Sequence, residues 1–226
     1  MPPMGTLYLV RHGQASFGAA DYDQLSDLGQ RQAERLGRYW AERGLTFDAV
    51  LMGTLKRHVQ TWEGIRQGAG FNREPLSWPG LNEYDGDAVV KAIYPRIEDK
   101  PTSPDGYKRH FHMLRDGLSQ WMAGTVSPKG MPAYPDFVRG VTSALDHVRT
   151  VHAGKKVLIV SSGGPISTAV GHVLGLSPER TIDLNMRIRN SSVTELQFGP
   201  KRHSLLTFNT LPHLDQPDFG DWVTFA

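Results

Sequence analysis

The stretch Thr6-Leu7-Tyr8-Leu9-Val10-Arg11-His12-Gly13-Gln14 constrains the fold more than any other part of the chain. Its apolar run shows no polar alternation after Thr6, which reads as a strand buried on both faces. The run stops abruptly at an arginine, a histidine and a glycine. Gly13 lets the backbone turn sharply. Neighbours in a strand point to opposite faces, so Arg11 and His12 can serve one ligand only if the strand ends at about Val10. Both then stand at the carboxyl end of a buried strand, where open α/β sheets bind ligands. Taken alone, the tripeptide fits an edge arginine and a capping histidine equally well. Later strands decide the matter.

The chain has 226 residues, enough for one large α/β domain or two small ones. Its 25 basic and 23 acidic residues leave a formal charge of +2, which argues against a general nucleic-acid surface but allows a local basic pocket. Cysteine is absent, so a disulfide framework, a thiol nucleophile and a thiolate metal site are all excluded. The histidines are scattered, and His110 and His112 lie two apart on an expected helix, a poor metal pair. No metal or cofactor is expected. No stretch is long and apolar enough to span a membrane, and Met1 to Gly5 has no basic segment leading into an apolar run. The expectation is a cytoplasmic protein with neither a membrane nor a nucleic-acid partner.

The remaining elements follow in order. Ser26 should cap a helix through Leu28, Ala33, Leu36 and Trp40, stopped by Gly44. Residues 48–52 form a second strand, and a helix follows from about Leu55 with Thr54 as its cap. Lys56, Arg57 and His58 crowd the first turn of that helix. A helix N-terminus carries partial positive charge, so three basic side chains there call for a nearby anion. Residues 74–79 suggest a short third strand, followed by an acidic turn, Leu81-Asn82-Glu83-Tyr84-Asp85-Gly86-Asp87. From about 84 to 135 the chain reads as an irregular and helical insertion covering the ligand end of the sheet. Within it, Phe111, Leu114, Leu118, Trp121 and Met122 share one helical face as packing. An amphipathic helix over 136–151 leads to the buried strand 156–161. Ser162-Gly163-Gly164-Pro165 then precede a helix from Ile166, with Pro165 at its first position. Bare amides at the two glycines would make an anion cradle, although the same residues suit a plain tight turn. A short helix starts at Ser177-Pro178-Glu179, and 193–198 with 204–209 read as a hairpin before an irregular tail.

Alternating strands and helices predict a single α/β domain over 1–226: a three-layer sandwich with a mostly parallel sheet of about six strands and helices on both faces. Strand ends in such a sheet share an edge. Arg11 and His12, Arg57, and Ser162 with Gly163 can therefore converge there. Two guanidiniums, a hydroxyl and amides around one imidazole suit a tetrahedral dianion, because arginine's planar fork binds two oxygens at once.

With these residues in place, the chain resembles the histidine phosphatase superfamily, the group that includes cofactor-dependent phosphoglycerate mutase. The signature appears as Leu9-Val10-Arg11-His12-Gly13. The second arginine motif resembles Thr54-Leu55-Lys56-Arg57-His58-Val59-Gln60-Thr61, and the acid motif resembles Leu81-Asn82-Glu83. The late strand into glycines resembles Val157 to Gly164. Leu25-Ser26-Asp27-Leu28-Gly29 with Gln32-Ala33, and Asn209 with Pro212-His213-Leu214, extend the similarity along nearly the whole chain.

The resemblance implies a ping-pong phosphoryl transfer from a phosphorylated small molecule. His12 attacks phosphorus, Arg11, Arg57, Ser162 and Gly163 bind phosphate, and Glu83 protonates the leaving oxygen and then deprotonates water. By residue type alone, Asp85 and Asp87 compete equally with Glu83. One departure stands out: where the family usually has a second histidine before the glycines, this chain has Ser162. A hydroxyl cannot carry positive charge, and the loss of one such group costs roughly 2.7–4 kcal/mol by analogy with an oxyanion donor. Of the histidines available as substitutes, His58, beside Arg57, is favoured over His172 within the later helix, although neighbours at i and i+1 on a helix diverge, which counts against it. Gly18 replaces an asparagine common in mutase-like members. The resulting expectation is a phosphomonoester phosphatase with a phosphohistidine on His12. The alternatives are a weakly active or non-catalytic phospho-ligand-binding protein and, less favoured, a phosphoglycerate-type mutase.

Overall fold

A computed structural model describes residues 3–16, 23–97 and 103–225; Gly18 lies outside them. The elements are β1 (Gly5–Arg11), α1 (Asp27–Ala41), β2 (Ala49–Met52), α2 (Lys56–Ala69), β3 (Leu76–Ser77), α3 (Gly86–Lys91), α4 (Pro104–Met122), α5 (Tyr134–Val151), β4 (Lys156–Ser161), α6 (Gly163–Leu174), α7 (Pro178–Asn185), β5 (Val193–Phe198) and β6 (His203–Thr210). They build a six-stranded sheet in the order β3-β2-β4-β1-β5-β6. β1, β2, β3 and β4 pair in parallel, while β5 runs against both β1 and β6.

Both faces of the sheet are covered, as the uninterrupted apolar strands require. Leu7 and Leu9 of β1 join Val157 and Ile159 of β4 in one core, against α5, α6 and Trp121 of α4. Val10, Leu158 and Val160 face the other way, against Ala33, Leu36 and Trp40 of α1 and Trp62 and Ile65 of α2. β1, β2, β4 and β5 thus divide their side chains between two cores, which makes the α/β sandwich three layers thick.

Several boundaries differ from expectation for local reasons. β1 continues one residue further, to Arg11, because Arg11 still pairs with Ser161 of β4. Ser26 caps α1 as expected, its hydroxyl accepting from Gly29 N–H at 3.1 Å. Thr54 does not cap α2. Leu55 occupies that position, and Thr54 is bound instead through its amide and hydroxyl to the Asn82 side chain. α6 begins at Gly163, not Ile166, with Ser162 at the N-cap, so both glycines are helical rather than a bare loop. Phe111 is largely exposed, while Leu118 and Trp121 are buried as the α4 pattern required. The tail after β6 forms two short 3-10 turns, Pro212–Leu214 and Pro217–Trp222.

Candidate active site

The carboxyl ends of β1, β2 and β4 supply the site. His12 follows β1 directly, and its amide donates to the Ser161 carbonyl of β4 at 2.9 Å. The Ser191 amide donates to the His12 carbonyl at 3.1 Å, from a residue held at φ 55°. Ser191 is braced in turn by buried His213, with Oγ and Nε2 2.9 Å apart. The imidazole of His12 is almost fully buried, and its Nδ1 lies 2.7 Å from the Gly13 carbonyl. A carbonyl can only accept, so Nδ1 carries the proton and Nε2 is left with its lone pair. Burial pushes the His12 pKa well below the usual imidazole range; Arg11, Arg57 and His58 push it the same way, against a small opposing effect of the Gly13 carbonyl. The ring is therefore neutral.

Arg57 sits in the first turn of α2, buried, and acts electrostatically on His12 from across the site. Thr61, one turn on, ties the two together. Its hydroxyl donates to the Arg57 carbonyl at 2.6 Å and accepts from the Gly13 amide at 3.1 Å. The anion that the basic start of α2 demanded is Asp23. One of its oxygens accepts from the Lys56 amide at 3.0 Å and the other pairs with Arg57 Nη1 at 2.7 Å. Nothing in the residue pattern around Asp23 singled it out. Arg11 Nη1 donates to the carbonyls of Ile188 and Phe225, each at 2.6 Å.

Of the acidic residues in the turn, Glu83 is the one brought to the site. Asp85 caps α3 by accepting from the Ala88 amide at 3.0 Å, and Asp87 is exposed in the first turn of α3. Two clamps place the Glu83 loop. The Leu81 carbonyl accepts from buried Ser161 Oγ at 2.7 Å, and Asn82 holds Thr54. Both carboxylate oxygens of Glu83 accept from the Gly164 amide at 3.1 Å. Burial raises the Glu83 pKa, against the opposing pull of Gly164, Arg57, Arg11 and Tyr84. The expected glycine cradle is thus partly used: the Gly164 amide is engaged by a carboxylate. A Cβ at Gly164 would sit 2.1 Å from Glu83 Oε1, so only glycine allows this approach. Gly163 borders Arg11, whose Nε would lie 3.9 Å from a Cβ there.

Ser162 is fully buried at the end of β4, and its hydroxyl lies 2.7 Å from His58 Nε2. Helical divergence counted against His58 as a substitute, yet its ring is 5.9 Å from that of His12, centroid to centroid. Residues at i and i+1 on α2 do diverge, yet both reach His12: Arg57 acts on it electrostatically and the His58 ring lies beside it. Burial, then Arg57, lowers the His58 pKa to about 3. Among the described residues no cluster of histidine, aspartate and glutamate could hold a metal ion, and no helix is long and apolar enough to cross a membrane. Ser161, Thr61 and Asp23 were given no role at the site by the sequence reading. Thr61 alone carried a signal there, as the last residue of the second arginine motif.

Residues 7–211 match the model of the histidine phosphatase superfamily, branch 1. A 2,3-bisphosphoglycerate-dependent phosphoglycerate mutase from Nitratidesulfovibrio vulgaris is 27% identical over 217 residues, covering 81% of this chain and 83% of that protein. The fold is similar to a mutant phosphoserine phosphatase from Entamoeba histolytica in complex with phosphoserine, with a TM-score of 0.63 at 19% identity over 93% of this chain and 99% of that one. It is equally similar to the alpha-ribazole phosphatase from Shigella flexneri, with a TM-score of 0.63 at 19% identity over 91% and 96% of the two chains.

Proposed function

The chain belongs to the histidine phosphatase superfamily, and from that premise we propose that it hydrolyses phosphomonoesters through a phosphohistidine on His12. One observation carries the reading: a buried, neutral imidazole with its proton fixed on Nδ1 by Gly13 and its Nε2 lone pair available, within the electrostatic reach of Arg11 and Arg57. Phosphoryl transfer asks mainly for positioning and for charge stabilisation of the equatorial oxygens, which the two guanidiniums supply. His12 Nε2 attacks phosphorus as the ester oxygen departs. Glu83, with its raised pKa, gives that oxygen its proton and later takes one from the water that cleaves the phosphohistidine. The substrate is a phosphorylated small molecule whose leaving group meets the 84–135 segment, within the single 1–226 domain. Solved neighbours of this fold include a phosphatase bound to phosphoserine.

A second reading has one observation in its favour. Ser162 brings no positive charge where the family usually has a histidine, which suits a phospho-ligand-binding protein that turns over slowly or not at all. Single-turnover labelling separates the two. Wild type given a phosphorylated substrate is expected to show acid-labile, base-stable phosphate on His12 that disappears in His12→Ala. Phosphate release without that label overturns the mechanism; binding that depends on Arg11 and Arg57, without release, favours the second reading. Transfer to an added sugar acid in preference to water would mark a mutase.

A further inference from the structure

We propose that His58 and Ser162 together do the work of the family's second histidine: the Ser162 hydroxyl contacts a phosphoryl oxygen, and the His58 imidazole behind it directs the hydroxyl's proton toward that oxygen. This rests on the reading of His12 as the phosphorylated residue.

The pair is built into the fold. His58 stands at the third helical position of α2 and is completely buried. Its Nε2 lies 2.7 Å from Ser162 Oγ and its ring lies 5.9 Å from that of His12, and Ser162 directly follows Ser161, whose carbonyl accepts from the His12 amide. Space for the ring comes from Gly53, just beyond β2. A Cβ there would fall 2.2 Å from His58 Nδ1 and 2.7 Å from Asn82 Oδ1. Three features therefore fit one another: a glycine that makes room, an imidazole entering from α2, and a small hydroxyl residue in front of it. The imidazole has changed its point of entry, from the end of β4 to the start of α2.

The chemistry selects one arrangement of protons. If Ser162 donates to Nε2, its oxygen presents only lone pairs to an incoming oxyanion, which repels it. If Nε2–H donates to Ser162 Oγ, the hydroxyl proton is free to turn toward the phosphoryl oxygen. The Gly53 backbone beside Nδ1 favours the other tautomer in the free protein, so a bound phosphoryl group has to shift the His58 proton from Nδ1 to Nε2. No proton or phosphoryl group leaves the pair; it is a polarised donor and not a second cation. Ser162 touches the reacting group, and His58 is a positioning residue that acts through it.

The test is the rate of His12 phosphorylation in a single turnover, measured for His58→Ala, His58→Gln, Ser162→Ala and the double alanine variant. Removal of one donor of this kind is expected to slow phosphorylation by about 100-fold or more while substrate affinity changes much less. The double variant should be no slower than either single one, because both losses interrupt the same hydrogen bond. His58→Gln, which keeps an N–H of similar reach, should recover part of the rate. In wild type carrying ¹⁵N-histidine, adding vanadate should place the His58 proton on Nε2. Independent, multiplying losses, or rates within about threefold of wild type in folded single variants, overturn the proposal. A tautomer with the proton on Nδ1 in the vanadate complex overturns it as well, even if the alanine variants fail to fold. Absence of label on His12 in wild type, with phosphate still released, defeats the parent reading instead, so the two failures are distinguishable.

Discussion

The Gly164 amide donates to both carboxylate oxygens of Glu83, at 3.1 Å each, across 81 residues of sequence. This contact holds the carboxylate at the start of α6, where the helix N-terminus would otherwise be open to an anion. A Cβ at position 164 would meet Glu83 Oε1 at 2.1 Å and the Tyr84 ring at 2.6 Å. Gly164→Ala is therefore expected to displace Glu83 with little damage to the rest of the sheet. Hydrolysis of an alkyl phosphate, whose leaving oxygen needs a proton, should fall by about 100-fold, within the range of general acid catalysis. Hydrolysis of p-nitrophenyl phosphate should fall much less, because its leaving group departs unprotonated. Equal losses on the two substrates would count against Glu83 as the acid.

Thr61 is expected to matter for alignment. Its buried hydroxyl is shared between the Gly13 amide and the Arg57 carbonyl. Thr61→Val keeps the volume and leaves the Gly13 amide without this acceptor, at a cost of about 1–3 kcal/mol. The backbone beside His12 and that of Arg57 also become uncoupled. Urea denaturation should show the stability loss, and kcat should drop at saturating substrate. Unchanged kcat in a destabilised variant would confine Thr61 to a structural role.

Stability should fall steeply in mild acid. His58 and His213 are buried and neutral, each with its pKa pushed down to about 3. Above about 6.5 neither the native nor the unfolded chain protonates them; between about 6.5 and 3 the unfolded chain takes up protons that the native one refuses. The stabilisation is therefore complete above 6.5 and is lost as pH falls toward 3, at about 1.4 kcal/mol per pH unit for each histidine. His12, lowered in the same direction, adds to the loss. Urea titrations from pH 7.5 to 5.0 should show the slope. His213→Gln should make it shallower by about 1.4 kcal/mol per pH unit. An unaltered slope would mean that His213 is protonated in the native state.

Restoring the usual histidine at position 162 should fail on its own. Ser162 is fully buried with His58 Nε2 2.7 Å away, so an imidazole at 162 has no room while His58 is present. Ser162→His is expected to destabilise by about 1–3 kcal/mol, the usual cost of overpacking. Adding His58→Ala should relieve most of that loss, giving a strongly non-additive double variant. Thermal melts of the four proteins check this, and additive losses would show that the two positions do not share one space.

The main elements were legible in the sequence because their signals are local. The buried strands β1 and β4 announce themselves as unbroken apolar runs, Ser26 as a cap, and the β5–β6 hairpin by its alternation. The rim placement of Arg11 and His12 followed from where the apolar run stops. Terminal turns were less legible. α6 takes in both glycines, with Ser162 at the N-cap position but its hydroxyl turned to His58, and β1 runs on to Arg11 because β4 offers a partner there.

The layered α/β plan, the strand end that carries His12 and the need for an anion at the start of α2 could all be read from residue order. Which anion that is, which carboxylate of the acidic turn reaches the site and which way His58 points were settled by packing between distant elements. Asp23 meets Arg57 across 34 residues, Glu83 meets Gly164 across 81, and His58 meets Ser162 across 104. Each choice depends on how helices and loops from distant parts of the chain rotate against one sheet edge. Periodicity says which side of its own helix a residue occupies, but packing between elements sets what stands opposite.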